Sequence, residues 1–93
     1  MPPLSPQEAQ SRLSGLRGWK IEAGELVKTF QFEDFVASLA FVNRVGELAE
    51  KAGHHPDIDV RYNRVRLALV THDAGGLTQK DFDLAAKAEK LAG

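Results

Sequence analysis

Cysteine is absent from all 93 residues. That excludes disulfide staples, thiolate catalysis and cysteine-ligated zinc or iron–sulfur centres. Charge of one sign is lacking as well. Twelve basic and 13 acidic side chains leave a formal net charge of −1. Such a chain has no global field to attract nucleic acid or an anionic membrane. No apolar run approaches the roughly 18 residues of a membrane span. The start, MPPLSPQEAQ, lacks the basic residues and apolar stretch of a secretory signal. Neither a phosphate-cradling glycine loop nor a G-x-S-x-G elbow occurs. The expectation is a cytoplasmic protein with no direct nucleic-acid partner and no membrane partner. Hydrophobic residues at 43% and charged residues at 27% are ordinary for a globular chain. The length suits one compact domain over residues 1–93, with disorder expected only at Met1–Leu4. There is no internal repeat, low-complexity tract or long linker.

What is present reads as alternating helices and hairpins. Ser5, Pro6 and Glu8 form a capping box with proline at the first helical position. Ala9, Leu13 and Leu16 follow on one face, with Gly15 and Gly18 bracketing the end. Trp19 to Phe32 alternates at period two, predicting a hairpin that turns at Gly24-Glu25. Lys28 interrupts its apolar face of Leu26, Phe30 and Phe32. Asp34 or Glu33 caps a long helix reaching to about Gly53. Its predicted apolar face is Phe35, Leu39, Val42, Val45, Leu48, Ala49 and Ala52, with Phe41 beside it. A face that wide predicts partial cover by another subunit. Pro56 pushes His55 towards an extended conformation, so the helix should stop by His54. A second hairpin follows, turning at Asn63-Arg64. Its closing strand is apolar on part of both faces, which predicts a central position in the sheet. Thr78 then caps a last helix, with Asp81 three residues on and Leu77 and Phe82 placed as a hydrophobic staple. The order is α-ββ-α-ββ-α. It predicts an α+β fold, a four-stranded antiparallel sheet with three helices packed on one face.

The chain's three histidines all fall between Glu50 and Asp81. Imidazole, with an ordinary pKa near 6.5, gives or takes a proton at neutral pH. Pro56 turns the chain just where His54 and His55 stand. Glu50, four residues before His54, is placed to orient it. The predicted hairpin register sets His72 opposite His55. Each residue also has a plain structural reading. His54 and His55 suit a solvated helix end, His72 a hydrogen-bonded strand end, and Asp81 a first-turn acid. Trp19 is more often core than a cofactor platform. Arg61, Arg64 and Arg66 sit near Asp57 and Asp59 and read as a solvated sheet face. Three histidines and a carboxylate are also a zinc donor set. Adjacent histidines, however, lack the i,i+4 spacing that presents two rings to one ion on a helix. The expectation is no metal.

The pattern Glu50-x3-His54-His55-Pro56-x5-Tyr62-x9-His72-x8-Asp81 resembles the signature of the pterin-4a-carbinolamine dehydratases. These are also known as dimerisation cofactors of a homeodomain transcription factor. Gly18-Trp19, Phe30-Gln31-Phe32-x-Asp34-Phe35, Tyr62-Asn63, Thr71-His72 and Gly76-Leu77-Thr78 extend the likeness over nearly the whole chain. The resemblance implies a four-stranded antiparallel sheet with three helices on one side. It implies loss of water from a 4a-hydroxytetrahydropterin to give the quinonoid dihydropterin, with no cofactor. It further implies that His54 and His72 are the acid–base pair, and that His55 binds the substrate and assists proton transfer. Pterin contacts would come from His54-His55-Pro56 and Thr71-His72-Asp73-Ala74, and supporting carboxylates from Glu50 and Asp81. Trp19 would line the site. A homodimer or homotetramer follows from the same resemblance. The chain departs from many members at Asp57-Ile58-Asp59, where aromatics are common, and at Ala74, where some have cysteine. Two competing readings are a non-catalytic partner-binding module and an enzyme acting on another pterin or a non-pterin carbinolamine.

Overall fold

Ser5 Oγ accepts from the Glu8 N–H at 3.1 Å, and Glu8 Oε1 accepts from the Ser5 N–H at 2.9 Å. Helix α1 (Pro6–Leu13) therefore starts where the capping box predicts. The hydrogen bond from the Ser5 backbone, with the Ser5 hydroxyl second, holds the Glu8 carboxyl below the usual carboxylate range. The computed structural model describes residues 2–92. Strands β1 (Lys20–Glu22) and β2 (Glu25–Gln31) follow, then helix α2 (Phe35–Ala52), β3 (Asp57–Arg61) and β4 (Arg64–Leu69). A 3-10 turn (His72–Ala74) leads to α3 (Gln79–Ala92). The strands form one antiparallel sheet in the order β1-β2-β4-β3, with the helices on one side. This is the α+β fold the pattern predicts, and β4 is central as its two-faced apolar content requires.

Leu26, Phe30, Val65, Leu67 and Leu69 from the sheet meet Phe41 and Val45 of α2 and Phe82, Leu84, Ala85 and Ala88 of α3. Lys28 shares the side of Leu26 and Phe30 and is tolerated there because its charge is answered. Its ammonium pairs with Glu89, donates to the Arg17 carbonyl at 3.2 Å and lies 4.7 Å from the Phe30 ring centre. Trp19 Nε1 donates to the same Glu89 at 2.8 Å, and its ring meets Phe30 edge-on. Trp19 is thus a core residue and does not line the histidine cavity described below.

Both hairpin turns lie one residue earlier than the sequence pattern suggests. Glu22 pairs with Glu25, so the first turn is Ala23-Gly24, both at positive φ (52° and 78°). Two left-handed residues in succession make a turn whose twist matches that of the flanking strands. Arg61 pairs with Arg64, so the second turn is Tyr62-Asn63, with Tyr62 at φ 51°. Asn63 is anchored there. Its Nδ2 donates to the Phe32 carbonyl at 3.2 Å, and its carbonyl accepts from the Phe32 N–H at 2.7 Å. The register Asp57–Ala68, continued backwards, places Val70 rather than His72 beside His55.

The buried face of α2 is also rotated from the predicted one. Ser38, Phe41, Val45 and Ala49 face the core. Ser38 is admitted because its hydroxyl donates to the Asp34 carbonyl at 3.1 Å. Phe35 (46%), Leu39 (41%) and Val36 (74%) stay exposed instead.

At the start of the chain, Leu4 donates to the Leu77 carbonyl at 2.7 Å and packs on the core, so the expected disorder does not extend to it. Met1 lies outside the described residues. On the open sheet face Arg66 and Lys20 pair with Glu22, and Arg61 pairs with Asp59. Lys20 first, then Arg66, holds the Glu22 carboxyl below its usual range. These are solvated pairs that add little stability. No described helix is long and apolar enough to cross a membrane.

Candidate functional site

The end of α2 decides where the first two imidazoles go. Gly53 adopts the left-handed conformation at φ 63°, and the His54 N–H closes back on the Ala49 carbonyl at 3.2 Å. This reversal takes His54 out of the helical phase, so the expected Glu50–His54 neighbour pair does not form. Glu50 Oε2 instead meets His55 Nε2 at 2.5 Å, with both side chains exposed. His54 turns inward. Its Nε2 lies 2.6 Å from Asp81 Oδ1, and its side chain is only 13% exposed.

Asp81 is wholly buried in the first turn of α3. A buried carboxylate needs its lone pairs filled, and this one accepts three hydrogen bonds. His54 takes Oδ1, while the Thr78 N–H and the Thr71 hydroxyl both reach Oδ2 at 2.9 Å. The expected first-turn acid role is therefore real, and it is joined to the histidine. The Thr78 hydroxyl, expected to cap the helix, bonds to Thr71 Oγ1 at 2.7 Å.

His72 does not end a strand. β4 stops at Leu69, and Thr71 and Gly76 exchange two backbone bonds of 3.1 and 3.4 Å that close a tight loop. Within it Ala74 donates to Thr71 and Gly75 to His72, each at 3.0 Å. The Asp73-Ala74-Gly75-Gly76 stretch, which the sequence suggests is flexible, is thus a hydrogen-bonded 3-10 turn that presents an exposed His72.

These pieces enclose a cavity of about 240 Å³ lined by Gly53, His54, His55, Val70, Thr71, His72, Asp73 and Lys80. It unites three imidazoles, two of them held by carboxylates. Glu50 and Asp81 stand behind the lining as partners of His55 and His54. Pro56 and Ala74 do not line it. Gly53, Val70 and Lys80 were not foreseen. Lys80 had one signal, its place beside Asp81 in the first turn of α3. Val70 had none once the hairpin was read out of register. A larger cleft of about 370 Å³ lies between α2 and α3, lined by Leu48, Leu91, Glu47 and the cations Arg44, Lys51, Lys87 and Lys90. It holds no imidazole, so size does not locate the chemistry. His54 and His55 face different carboxylates. Among the described residues no three histidine or acidic groups gather as a metal would require. What the arrangement offers is proton transfer from several sides of one small open cavity.

A family profile for Pterin 4 alpha carbinolamine dehydratase matches residues 2–91. The chain is 64% identical over 91 residues to a protein of Acidobacterium capsulatum provisionally named a pterin-4-alpha-carbinolamine dehydratase, covering 98% of this chain and 99% of that protein. Among solved structures, a transcriptional coactivator/pterin dehydratase from Brucella melitensis superimposes with a TM-score of 0.94 at 33% identity, over 98% of this chain and 99% of that one. A pterin dehydratase-like protein described as a RuBisCO assembly factor in the alpha-carboxysome superimposes with a TM-score of 0.71 at 26% identity, over 83% and 92% of the two chains.

Proposed function

We infer the function from family membership: the chain belongs to the pterin 4 alpha carbinolamine dehydratase family. The reaction is loss of water from a 4a-hydroxytetrahydropterin, serving tetrahydrobiopterin recycling in the cytoplasm. The N5–H bond breaks and its electrons form the C4a=N5 double bond. The C4a–O bond breaks with its pair on oxygen, which takes a proton and leaves as water. One group must accept a proton and another must supply one. The observation that carries this reading is the gathering of His54, His55 and His72 on one cavity, with carboxylates behind two of them. His54 and His72 act as the acid–base pair. His55 orients the ring and assists proton transfer. His54-His55-Pro56 and Thr71-His72-Asp73-Ala74 contact the pterin, and Glu50 and Asp81 hold the imidazoles.

The test is the rate of dehydration of chemically generated 4a-hydroxytetrahydropterin. Wild-type protein should accelerate it clearly. His72→Ala, which removes an exposed ring without touching the core, should lose about 10²–10⁴ of the acceleration. Folded wild-type protein that gives only the background rate would remove the dehydratase reading.

The same reading includes a homodimer or homotetramer. Phe35, Val36 and Leu39 make an exposed apolar stripe on α2, and exposed Ile58 lies on the edge strand β3. Light scattering at micromolar concentration should give the mass of two or four chains, whereas a single-chain mass counts against assembly. The stripe also supports a second reading, a partner-binding module, a role the Brucella neighbour's description pairs with the dehydratase. Histidine substitutions would leave that function untouched.

A further inference from the structure

The cleft of about 370 Å³ between α2 and α3 shares no lining residue with the histidine cavity. Helical spacing builds it. Arg44, Leu48 and Lys51 stand four and three residues apart, so they share one side of α2, and Lys87 and Leu91 stand four apart on α3. Leu48 and Leu91 are half-buried against the core and form an apolar floor. The cations stand exposed around it. Four basic side chains meet one acid there, Glu47, in a chain whose formal net charge is −1. Lys20, Lys28, Arg61 and Arg66 each pair with a carboxylate elsewhere in the fold. Arg44, Lys51, Lys87 and Lys90 pair with none among the described residues. The helix dipole favours Lys51 and Lys90, which lie in last turns, but gives no reason for Arg44 and Lys87 further back. Like charges gathered in this way repel one another, and an anionic partner relieves that repulsion.

We propose that this cleft docks an acidic amphipathic helix of another protein. An apolar side chain of that helix fills the floor at Leu48 and Leu91, and its carboxylates pair with Arg44, Lys51, Lys87 and Lys90. A concave apolar floor ringed by charge suits a helix laid into a groove. The buried anchor supplies affinity, and the rim charges supply orientation and speed of encounter. A bilayer surface offers charge but no protruding anchor for such a floor. A second copy of this chain does not fit, because a symmetric contact would set the same four cations against themselves. The cleft is also separate from the apolar stripe proposed for assembly. At about 100° per residue, Phe35 and Leu39 fall on one flank of the buried row Phe41, Val45 and Ala49, and Arg44, Leu48 and Lys51 fall on the other. No histidine takes part.

The test is fluorescence anisotropy of a labelled synthetic peptide with the full-length protein. The probe is an alanine-based peptide of about 18 residues, long enough to hold a helix. It carries leucine at i, i+4 and i+7 and glutamate on both flanks of that row. It should bind wild-type protein at micromolar concentration, with affinity falling as salt rises. Replacing every glutamate by glutamine, or every leucine by alanine, should each weaken binding about tenfold or more. Lys87→Glu/Lys90→Glu reverses two exposed charges outside the core. It should keep the wild-type circular dichroism and dehydration rate, yet bind the glutamate peptide about tenfold or more weakly. A peptide with lysine in place of glutamate should bind this variant better than it binds wild type. Amide shifts of ¹⁵N-labelled wild-type protein should move at residues 44–51 and 87–91 on addition of the glutamate peptide. No binding at millimolar protein, equal binding of the glutamine peptide, or shift changes centred on Phe35 to Leu39 overturns the proposal. Capture of the protein by vesicles of equal parts phosphatidylcholine and phosphatidylglycerol, without binding of the peptide, also overturns it and assigns the cleft to a membrane surface.

Discussion

His54→Gln is expected to lower kcat/KM for dehydration of a 4a-hydroxytetrahydropterin by about 10²–10⁴, the usual contribution of a general acid or base. The glutamine amide can donate to Asp81 Oδ1 in place of His54 Nε2, so the buried carboxylate keeps its third partner. What is lost is the second ring nitrogen and the capacity to carry a proton. Stability should change by no more than about 1 kcal/mol, since one hydrogen bond is exchanged for another. The pairing of a large activity loss with an unchanged melting curve is the informative result. A His54→Gln protein retaining more than a tenth of wild-type kcat/KM would take His54 out of the proton-transfer role. Measuring His72→Ala beside it separates the two: equal losses in both, and no further loss in the double variant, would show them working as a unit.

Asp81→Ala should be the most destabilising single change at the site, by about 3–5 kcal/mol. The carboxylate is wholly buried and answers three donors, His54 Nε2, the Thr71 hydroxyl and the Thr78 N–H. Alanine leaves all three unpaired in the interior and opens a small void. For a chain of this size about 1 kcal/mol corresponds to about 4–8 °C in Tm, so thermal unfolding should move down by at least about 12 °C. Asp81→Asn should cost less, because its carbonyl still accepts while its amide opposes only one of the donors. Urea or thermal denaturation followed by circular dichroism measures both. A loss below about 1 kcal/mol for Asp81→Ala would mean that the network contributes little to the fold.

The elements themselves were legible in the sequence because each is set by local rules. The capping box at Ser5 and Glu8, the helix stop before Pro56 and the central place of β4 all depend on neighbours a few residues apart. The turns were misplaced by one residue, since Ala23-Gly24 and Gly24-Glu25 differ only in backbone torsions that composition does not report. The core-facing stripe of α2 was misjudged for a related reason. Its pattern is apolar over so wide an arc that Phe35 and Leu39 could be assigned inward, while Ser38, which the structure buries with its hydroxyl on the Asp34 carbonyl, carries no apolar signal.

The sequence by itself determined the α-ββ-α-ββ-α order and the placing of His54, His55 and His72 in one segment that runs from Glu50 to Asp81. Periodicity, capping and spacing are properties of short stretches, so they survive without coordinates. Which acid serves which histidine was decided only by the tertiary structure. Left-handed Gly53 breaks the helical phase between Glu50 and His54, sending His54 across to Asp81 and leaving Glu50 to His55. The Thr71–Thr78–Asp81 cluster likewise exists only because the loop after β4 closes on the start of α3. Contacts made through space depend on backbone reversals whose effect on phase no spacing rule carries.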